Sequence, residues 1–320
     1  MKMNTKSLVE AAILAALSTV IIIVSYYIPA LLTIGAIAWS IPITLLTFKY
    51  DIKISILTLI VSLLISSAFI TPVTAIAIAI LYGLPALILG FCLRKKYPPF
   101  TTLISMSIAM FLSYVLTFKF SELITGKDIL QEFLEIMKQA VNYSKSLALK
   151  HGGDQKAVED TFSKLLNVDL VKMALPGAMV VAAVFGSFID YYIVQIIFRK
   201  LNLKINEIKP VEYWYISNST SYGIFFLTIA SLIMLSAGVN NAEIISATVY
   251  AIFVFAFAVQ GIALISWLFK KRGVPGKLVV VLDILILIMF SQILFFIGIL
   301  DYIIDFRKIN PSRGNKFPGE

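Results

Sequence analysis

The chain has 320 residues, of which 59% are hydrophobic and 14% are charged, and its formal net charge is +9. Soluble domains have roughly 45–50% apolar and about 25% charged residues, so this composition excludes an ordinary soluble fold. The basic residues stand beside the ends of apolar runs, which favours membrane topology over nucleic-acid binding as the origin of the positive charge.

Apolar runs of about twenty residues recur along the chain, and this is the length that a helix needs to cross ~30 Å of hydrocarbon. We predict an all-α fold, a polytopic transmembrane helix bundle with about nine spans, eight being the alternative. The first run is too long for the core of a signal peptide, so we expect it to remain as a helix. The predicted spans are 8–28, 30–48, 54–70, 72–93, 100–118, 173–198, 216–237, 244–269 and 278–300.

The positions of Lys and Arg predict the orientation of these spans. Fifteen basic residues fall on one side of the predicted membrane, in the clusters 2–6, 49–53, 94–96, 199–209 and 270–277. The positive-inside rule assigns that side to the cytoplasm, which predicts a multi-pass protein of the cell membrane with a cytoplasmic N-terminus. A ninth span would place Arg307 and Lys308 outside. Either the tail is tolerated there, or one of the last three spans is wrong and the C-terminus is cytoplasmic.

One long polar segment, 119–172, separates the fifth and sixth spans, and its eight basic and eight acidic residues fit the outer side of the membrane. Asp128 and Gln131 resemble a capping pair for a helix, and Asp154 can cap a second helix after two glycines. We therefore predict two amphipathic helices that lie over the outer face. Their apolar residues at helical spacing are Leu130, Phe133, Met137, Val141, Leu147, Val158, Phe162 and Leu165.

Small residues recur at every fourth position of several predicted spans, and in lipid such positions let two helix backbones approach closely. These stripes predict either packing inside the bundle or the docking of another membrane protein. They comprise Ala11 with Ala15 and Ala12 with Ala16 in the first span, Ala75, Ala79 and Gly83 in the fourth, and Ala174, Ala178, Ala182 and Gly186 in the sixth.

The stripe of the sixth span continues onto Asp190, which lies about 13 Å along the helix from the basic end at Arg199. A carboxylate at that depth costs a few kcal/mol unless it is paired, protonated or facing a polar cavity. Tyr191, Tyr192 and Gln195 follow on the next turns and can supply hydroxyl and amide groups. We predict that these four residues contribute to a ligand-binding site. The alternative is a structural hydrogen bond between Asp190 and a neighbouring helix.

No sequence motif indicates an enzyme. The single cysteine, Cys92, excludes an intramolecular disulfide, and His151 has no second histidine or cysteine with which to form a metal site. The sequence also lacks a phosphate-binding loop, a dinucleotide fingerprint and a catalytic nucleophile arrangement. We therefore expect no catalytic activity, no metal, no cofactor and no nucleic-acid partner. Inside the predicted spans, Gln260 and Gln292 are interpreted as amides that hydrogen-bond between helices, and Asp283, six residues beyond Lys277, as a structural residue that reaches the interface.

Several segments resemble known families. Residues 8–17, the Ile41-Pro42 pair and the run Leu-Pro-Ala-Leu-Ile-Leu-Gly at 84–90 resemble the substrate-binding S components of energy-coupling-factor vitamin transporters, over about 200 residues. Those are six-helix proteins, and the resemblance implies that Ala11 with Ala15, or Ala12 with Ala16, dock a coupling partner. The pair Asp190-Tyr191 and the segment 208–216 are similar to the YybS-like family of bacterial membrane proteins, a resemblance that covers the whole chain.

These observations predict four regions: an S-component-like unit at 1–200 with the insert at 119–172, a linker at 201–216, further transmembrane helices at 217–300, and a polar tail at 301–320. The expected function is a membrane component that binds or transports a small molecule captured from the outer side, with the lipid bilayer and a membrane coupling protein as partners. The alternative is a non-transporting scaffold or regulator that binds partner proteins. A transporter needs a polar cavity near mid-membrane, whereas a scaffold can be solidly packed there.

Overall fold

The computed structural model describes residues 5–126, 129–150 and 168–309. Within these ranges the regular elements are helices, with no strand, which confirms the predicted all-α polytopic bundle. The chain divides into two compact units. The first unit comprises Met1–Val168 with Ala182–Ile208, and the second comprises Asp169–Val181 with Lys209–Glu320.

The first unit is built from seven described helices, the last of which it shares with the second unit. A short 3-10 turn, Pro29–Leu31, separates the first two helices. The helices are α1 (Thr5–Tyr27), α2 (Leu32–Lys49), α3 (Ile52–Ser66), α4 (Pro72–Arg94), α5 (Pro99–Thr125), α6 (Ile129–Lys150) and α7 (Val168–Lys200). The second unit holds the start of α7, the 3-10 turn Val211–Tyr213, and the helices α8 (Asn218–Ser236), α9 (Ala242–Lys271), α10 (Gly276–Met289) and α11 (Ser291–Ile304).

Six of the described helices, α1, α4, α5, α7, α8 and α9, are long and apolar enough to cross a membrane. The count rises to seven if α10 and α11 form one broken span, so it stays below the nine spans predicted from hydropathy. The predicted second and third spans correspond to the shorter apolar helices Ile37–Lys49, within α2, and Ile52–Ser66. A 15-residue helix is only about 22 Å long, which is less than the ~30 Å hydrocarbon core.

Polar residues at the helix ends explain where several helices begin and stop. The Asp51 carboxylate accepts a hydrogen bond from the first amide of α3, and the Thr71 hydroxyl caps α4 just before Pro72. Gly126 ends α5 with φ near +66°, a conformation that a residue without a side chain adopts easily. These signals are local, and the spans themselves were predicted from apolar run length.

Close helix contacts in the first unit occur where the small residues stand. Ala75 and Ala79 on α4 are buried in a cluster with Trp39, Ile22 and Ile70. One turn before the basic end of α4, Gly90 faces α2, and a Cβ atom there would lie 2.5 Å from Thr47 Cβ. The predicted packing role of the stripe in the fourth span is therefore confirmed for these alanines.

In the second unit, α9 and α11 touch backbone to backbone. A Cβ atom added to Gly261 would lie 2.1 Å from the Leu294 carbonyl oxygen, and one added to Gly298 would lie 1.8 Å from the Phe257 carbonyl oxygen. Neither position can accept a side chain without moving a helix. This crossing fixes α11 against α9.

The predicted ninth span, 278–300, is not one straight helix. It breaks at Phe290 into α10 and α11, whose axes are bent by 110°. The Arg307 guanidinium, beyond α11, donates to the Glu212 carbonyl, and the Glu212 carboxylate pairs with Lys270 at the end of α9. The helix α10 starts just after α9 ends, and Arg307, just beyond α11, lies near that same end of α9. The pair α10 and α11 therefore begins and ends at the same end of the unit. This contact places Arg307 on the side of the 270–277 cluster.

The polar segment 119–172 is described only in part. α6 forms where the first amphipathic helix was predicted, and Val141 is its buried apolar residue. The predicted capping residue Asp128, and the second predicted helix with Asp154 and its apolar residues, lie outside the described residues, as does His151.

Candidate functional site

Asp190 lies on the part of α7 that belongs to the first unit, and only 3% of its surface is exposed. Its carboxylate forms no hydrogen bond or ion pair with any of the described residues. Burying a carboxylate without a partner carries a free-energy cost of several kcal/mol in low-dielectric surroundings. The position therefore satisfies one requirement of a functional acid.

Two tyrosines on other helices lie within electrostatic range of this carboxylate: Tyr82 on α4 and Tyr114 on α5. Tyr82 stands about 18 Å along α4 from Arg94, Tyr114 about 22 Å along α5 from Pro99, and Asp190 about 15 Å along α7 from Lys200. Against a hydrocarbon core ~30 Å thick, these distances place Asp190 and Tyr82 near mid-depth and Tyr114 nearer the opposite side. Three helices thus bring a carboxylate and two hydroxyl groups within electrostatic range of one another.

A glycine on α7 explains how α5 comes close enough to α7 to place Tyr114 near Asp190. One turn before Asp190, a Cβ atom on Gly186 would lie 2.7 Å from Met110 Sδ and 3.8 Å from the Tyr114 hydroxyl. The adjacent Ser187 hydroxyl donates a weak hydrogen bond to the same Met110 sulfur, 3.8 Å away. The small-residue stripe of α7 therefore packs against α5 and places Tyr114 beside the acid.

Two of the four predicted site residues hold the connecting segment after α7 instead of facing Tyr82 and Tyr114. The Tyr191 hydroxyl donates to the Asn206 carbonyl oxygen at 2.5 Å, and the Gln195 side-chain oxygen accepts from the Ile208 amide at 2.8 Å. Asn206 in turn donates to the Lys96 carbonyl oxygen at 2.8 Å. These bonds fasten the segment to the basic end of the first unit, so Tyr191 and Gln195 have structural partners.

The fourth predicted residue, Tyr192, is 43% exposed and its ring stacks on Phe188 with the centroids 5.9 Å apart. The structure thus places Tyr114 against α7 one turn from Asp190 and Tyr82 within electrostatic range of it, and it does not bring the four predicted residues into one cluster. Sequence reasoning missed both tyrosines because they stand on other helices, and nothing in a single sequence pairs those helices with α7.

Several further polar atoms in the first unit are buried. Among the described residues, Trp39 Nε1, Ser18 Oγ, Ser113 Oγ and Thr117 Oγ1 have no hydrogen-bond partner. Ser113 and Thr117 stand on α5, on either side of Tyr114 in sequence. These groups retain donors and acceptors that water or a ligand could use.

The second unit contains a buried acid of a different kind. Asp301 Oδ2 accepts from Gln260 Nε2 at 2.6 Å and from Arg307 Nη2 at 2.8 Å, and the Asp301 and Arg307 side chains are 1% and 0% exposed. The Gln260 oxygen also accepts from the Ile216 amide at 2.9 Å. Gln260 therefore does hydrogen-bond to a neighbouring helix, as its position in the sequence predicted.

The four alanines predicted to dock a partner divide into two pairs. Ala11 and Ala15 are 8% and 3% exposed, and Ala11 packs against Leu46 and Ile54 inside the first unit. Ala12 and Ala16 are exposed on the outer surface of α1. Only the second pair is available in this structure for contact with another protein or with lipid.

Neither of two cavities among the described residues is lined by Asp190, so neither is the polar mid-membrane cavity that a transporter needs. One, of about 360 Å³, lies at the basic end of the first unit. The other, of about 10 Å³, has the size of one water molecule and borders Gln260 and Asp301. Within 5–126, 129–150 and 168–309, no group of three or more His, Cys, Asp or Glu side chains converges as a metal site would require.

Comparison with known proteins identifies the family to which the chain belongs. The model of the family described as "Predicted membrane protein (DUF2232)" matches residues 16–302. The chain is 24% identical over 305 residues to the "Uncharacterized protein YybS" of Bacillus subtilis (strain 168), which covers 93% of this chain and 96% of that protein. No solved structure matches. These comparisons support the YybS-like resemblance, and the S-component resemblance stays a prediction. The chain belongs to the DUF2232 family of membrane proteins.

Proposed function

We propose that the first unit binds a small molecule inside the membrane, and that the protein acts as a binding or transport component. The observation that supports this proposal is the Asp190 carboxylate, which is buried near mid-membrane without a bonded partner among the described residues. In lipid such a group is retained where water, a partner group or a ligand meets it.

The surroundings of Asp190 favour a cationic or protonatable ligand. A carboxylate attracts positive charge strongly where the dielectric constant is low, and the Tyr82 and Tyr114 hydroxyl groups lie within electrostatic range of it. Aromatic faces also attract cations directly. A proton-coupled substrate would use the same acid by protonating and releasing it. The S-component resemblance is consistent with this role and extends it to capture from the outer side.

The proposal is tested by identifying the small molecules that co-purify with the full chain, by mass spectrometry. We expect a compound that is retained by the wild-type protein and lost from Asp190→Asn, which keeps the size of the side chain and removes its charge. Asp283→Asn is the matched control, because it makes the same change at a buried acid of the second unit. Identical small-molecule content in all three proteins would contradict the proposal.

A second candidate function, a scaffold or regulator that binds partner proteins, is favoured by the exposed pair Ala12 and Ala16. If α1 docks a partner there, Ala12→Leu with Ala16→Leu should abolish co-purification of that partner and leave the fold intact. Ala11→Leu with Ala15→Leu should instead lower the melting temperature, because both alanines are buried. Unchanged partner content in the first variant would exclude docking through this face.

A further inference from the structure

The cleft of about 360 Å³ lies where α2 ends, α3 begins and α4 ends. Its volume falls within the range of small-molecule sites, roughly 300–1,000 Å³. Two apolar side chains and two basic ones share its wall. The lining residues are Thr47, Asp51, Ile52, Phe91, Arg94 and Lys95.

The cleft carries positive charge that the protein neutralises only in part. Arg94 forms its ion pair with Asp51 at 3.6 Å, which is too long for a hydrogen bond. The same Asp51 oxygen accepts the first amide of α3 at 2.7 Å, so the cap holds the carboxylate in place. The Arg94 guanidinium therefore keeps donors that can bind a second anion.

Lys95 adds a second positive charge. Its ammonium group lies 5.9 Å from the centre of the Phe91 ring, and no carboxylate among the described residues pairs with it. Arginine binds phosphate through two parallel N–H donors, and lysine adds a point charge. Ile52 and Phe91 supply the apolar wall next to these donors, which suits a group that joins a phosphate to an acyl chain.

We propose that this cleft binds a phosphate-bearing anion at the membrane surface. The ligand chemistry is a phosphate group, carried either by an anionic phospholipid or by a free phosphate. The charge clusters predict that this end of the unit faces the cytoplasm, where basic pockets between membrane helices meet anionic headgroups. This site is separate from Asp190 and does not depend on the proposed function of the first unit.

The experiment measures the melting temperature of the full chain in an uncharged detergent at fixed ionic strength. The added probes are phosphatidylglycerol, phosphatidylcholine and inorganic phosphate. Wild-type protein is compared with the cleft variant Arg94→Gln with Lys95→Gln. The matched control is Lys53→Gln with Lys96→Gln, which removes two charges at the same end of the unit from residues that do not line the cleft.

A site for anionic lipid requires that phosphatidylglycerol raise the melting temperature of the wild-type and control proteins more than phosphatidylcholine does. The cleft variant should lose most of this stabilisation, because it lacks both donors that would hold the phosphate group. The same pattern with inorganic phosphate would identify free phosphate as the ligand and would also support the site.

The proposal is overturned if no probe stabilises the wild-type protein, or if the cleft variant is stabilised as much as the control. If the cleft variant does not fold, Lys95→Gln alone decides, because it leaves the Arg94–Asp51 pair intact. A wild-type-sized shift in that single variant would also overturn the proposal.

Discussion

The two units each contain a deeply buried aspartate, and the two residues have opposite surroundings. Asp301 Oδ2 in the second unit accepts hydrogen bonds from Gln260 and Arg307, so the protein supplies both a counter-charge and a dipole, although Asp301 Oδ1 has no partner among the described residues. Asp190 in the first unit has no bonded partner among the described residues and lies near two tyrosines instead. Burial is nearly equal, at 2% and 3% exposure.

This comparison separates a structural acid from a functional candidate. Removing a partner from a buried ion pair leaves an uncompensated charge, so every member of the Asp301 network is needed for stability. An acid that the fold leaves without a partner lowers stability, so its retention indicates another role. The bonded partners of a buried carboxylate therefore indicate its role better than its depth in the membrane does.

The first prediction concerns topology and has an all-or-none readout. In a Cys92→Ser background, a cysteine at position 308 should react with a membrane-impermeant reagent only after cells are permeabilised, because Arg307 contacts Glu212 near Lys270. A cysteine at position 150, in the segment predicted to be outside, should react in intact cells. Labelling of position 308 in intact cells would mean that α10 and α11 cross the membrane.

The largest loss of stability is expected from Arg307→Gln. The substitution leaves Asp301 buried without its counter-charge, which typically reduces the free energy of unfolding by about 3–5 kcal/mol. Thermal unfolding measured in detergent checks this. Lys308→Gln is the control, since Lys308 is exposed and the change should stay within about 0.5 kcal/mol. Equal melting temperatures for the two variants would show that the Asp301 network does not stabilise the second unit.

Tyrosine substitutions in the two units test whether a hydroxyl group near Asp190 binds a ligand. Tyr114→Phe should reduce the amount of co-purified ligand about tenfold if its hydroxyl binds that ligand, with little change in melting temperature. Tyr302→Phe in the second unit removes a hydroxyl that hydrogen-bonds to Ser221 at 2.5 Å. It should lower the melting temperature and leave the ligand content unchanged. A reversal of the two phenotypes would contradict the assignment.

The smallest effect is expected at the surface pair of Glu10 and Tyr50. The hydrogen bond to the Glu10 carboxylate raises the pKa of the Tyr50 hydroxyl above its ordinary value. Because the folded-state pKa is the higher one, the bond stabilises the fold below pH 10 and is lost as pH rises through the folded-state pKa. The difference in melting temperature between wild type and Tyr50→Phe should therefore shrink in alkaline buffer. A difference that is independent of pH would contradict this, and Glu10→Gln should abolish the dependence.

Local signals in the sequence predicted much of the fold. Apolar run length placed the helices, whereas the caps Asp51 and Thr71 were recognised only in the structure. The break at Phe290 could not be predicted, because no proline or glycine stands there and the contacts that hold α11 come from α9. Among the described residues, the candidate spans number six or seven and not nine, because hydropathy reported neither this break nor the shortness of the helices at the second and third predicted spans.

Of the residues at the candidate site, only Asp190 was predicted from the sequence. Asp190 could be found because an acid inside an apolar run is a rare event that one sequence displays. Tyr191 and Gln195 looked equivalent to it on the helix, but their partners are backbone groups of Asn206 and Ile208 in the following segment. Tyr114 came to the site through tertiary packing at Gly186, and Tyr82 stands on α4, which no local pattern pairs with α7.

The most direct test of the account compares the melting temperatures of Asp190→Asn and Asp301→Asn in the same detergent. Both variants make the same chemical change at buried aspartates, so the difference between them reports only the surroundings. We expect Asp301→Asn to melt several degrees below the wild-type protein, because Arg307 loses its counter-charge. Asp190→Asn should melt at or above the wild-type temperature, because an unpartnered buried charge has been removed. A loss of stability in Asp190→Asn as large as that in Asp301→Asn would show that Asp190 serves the fold, and would contradict the account.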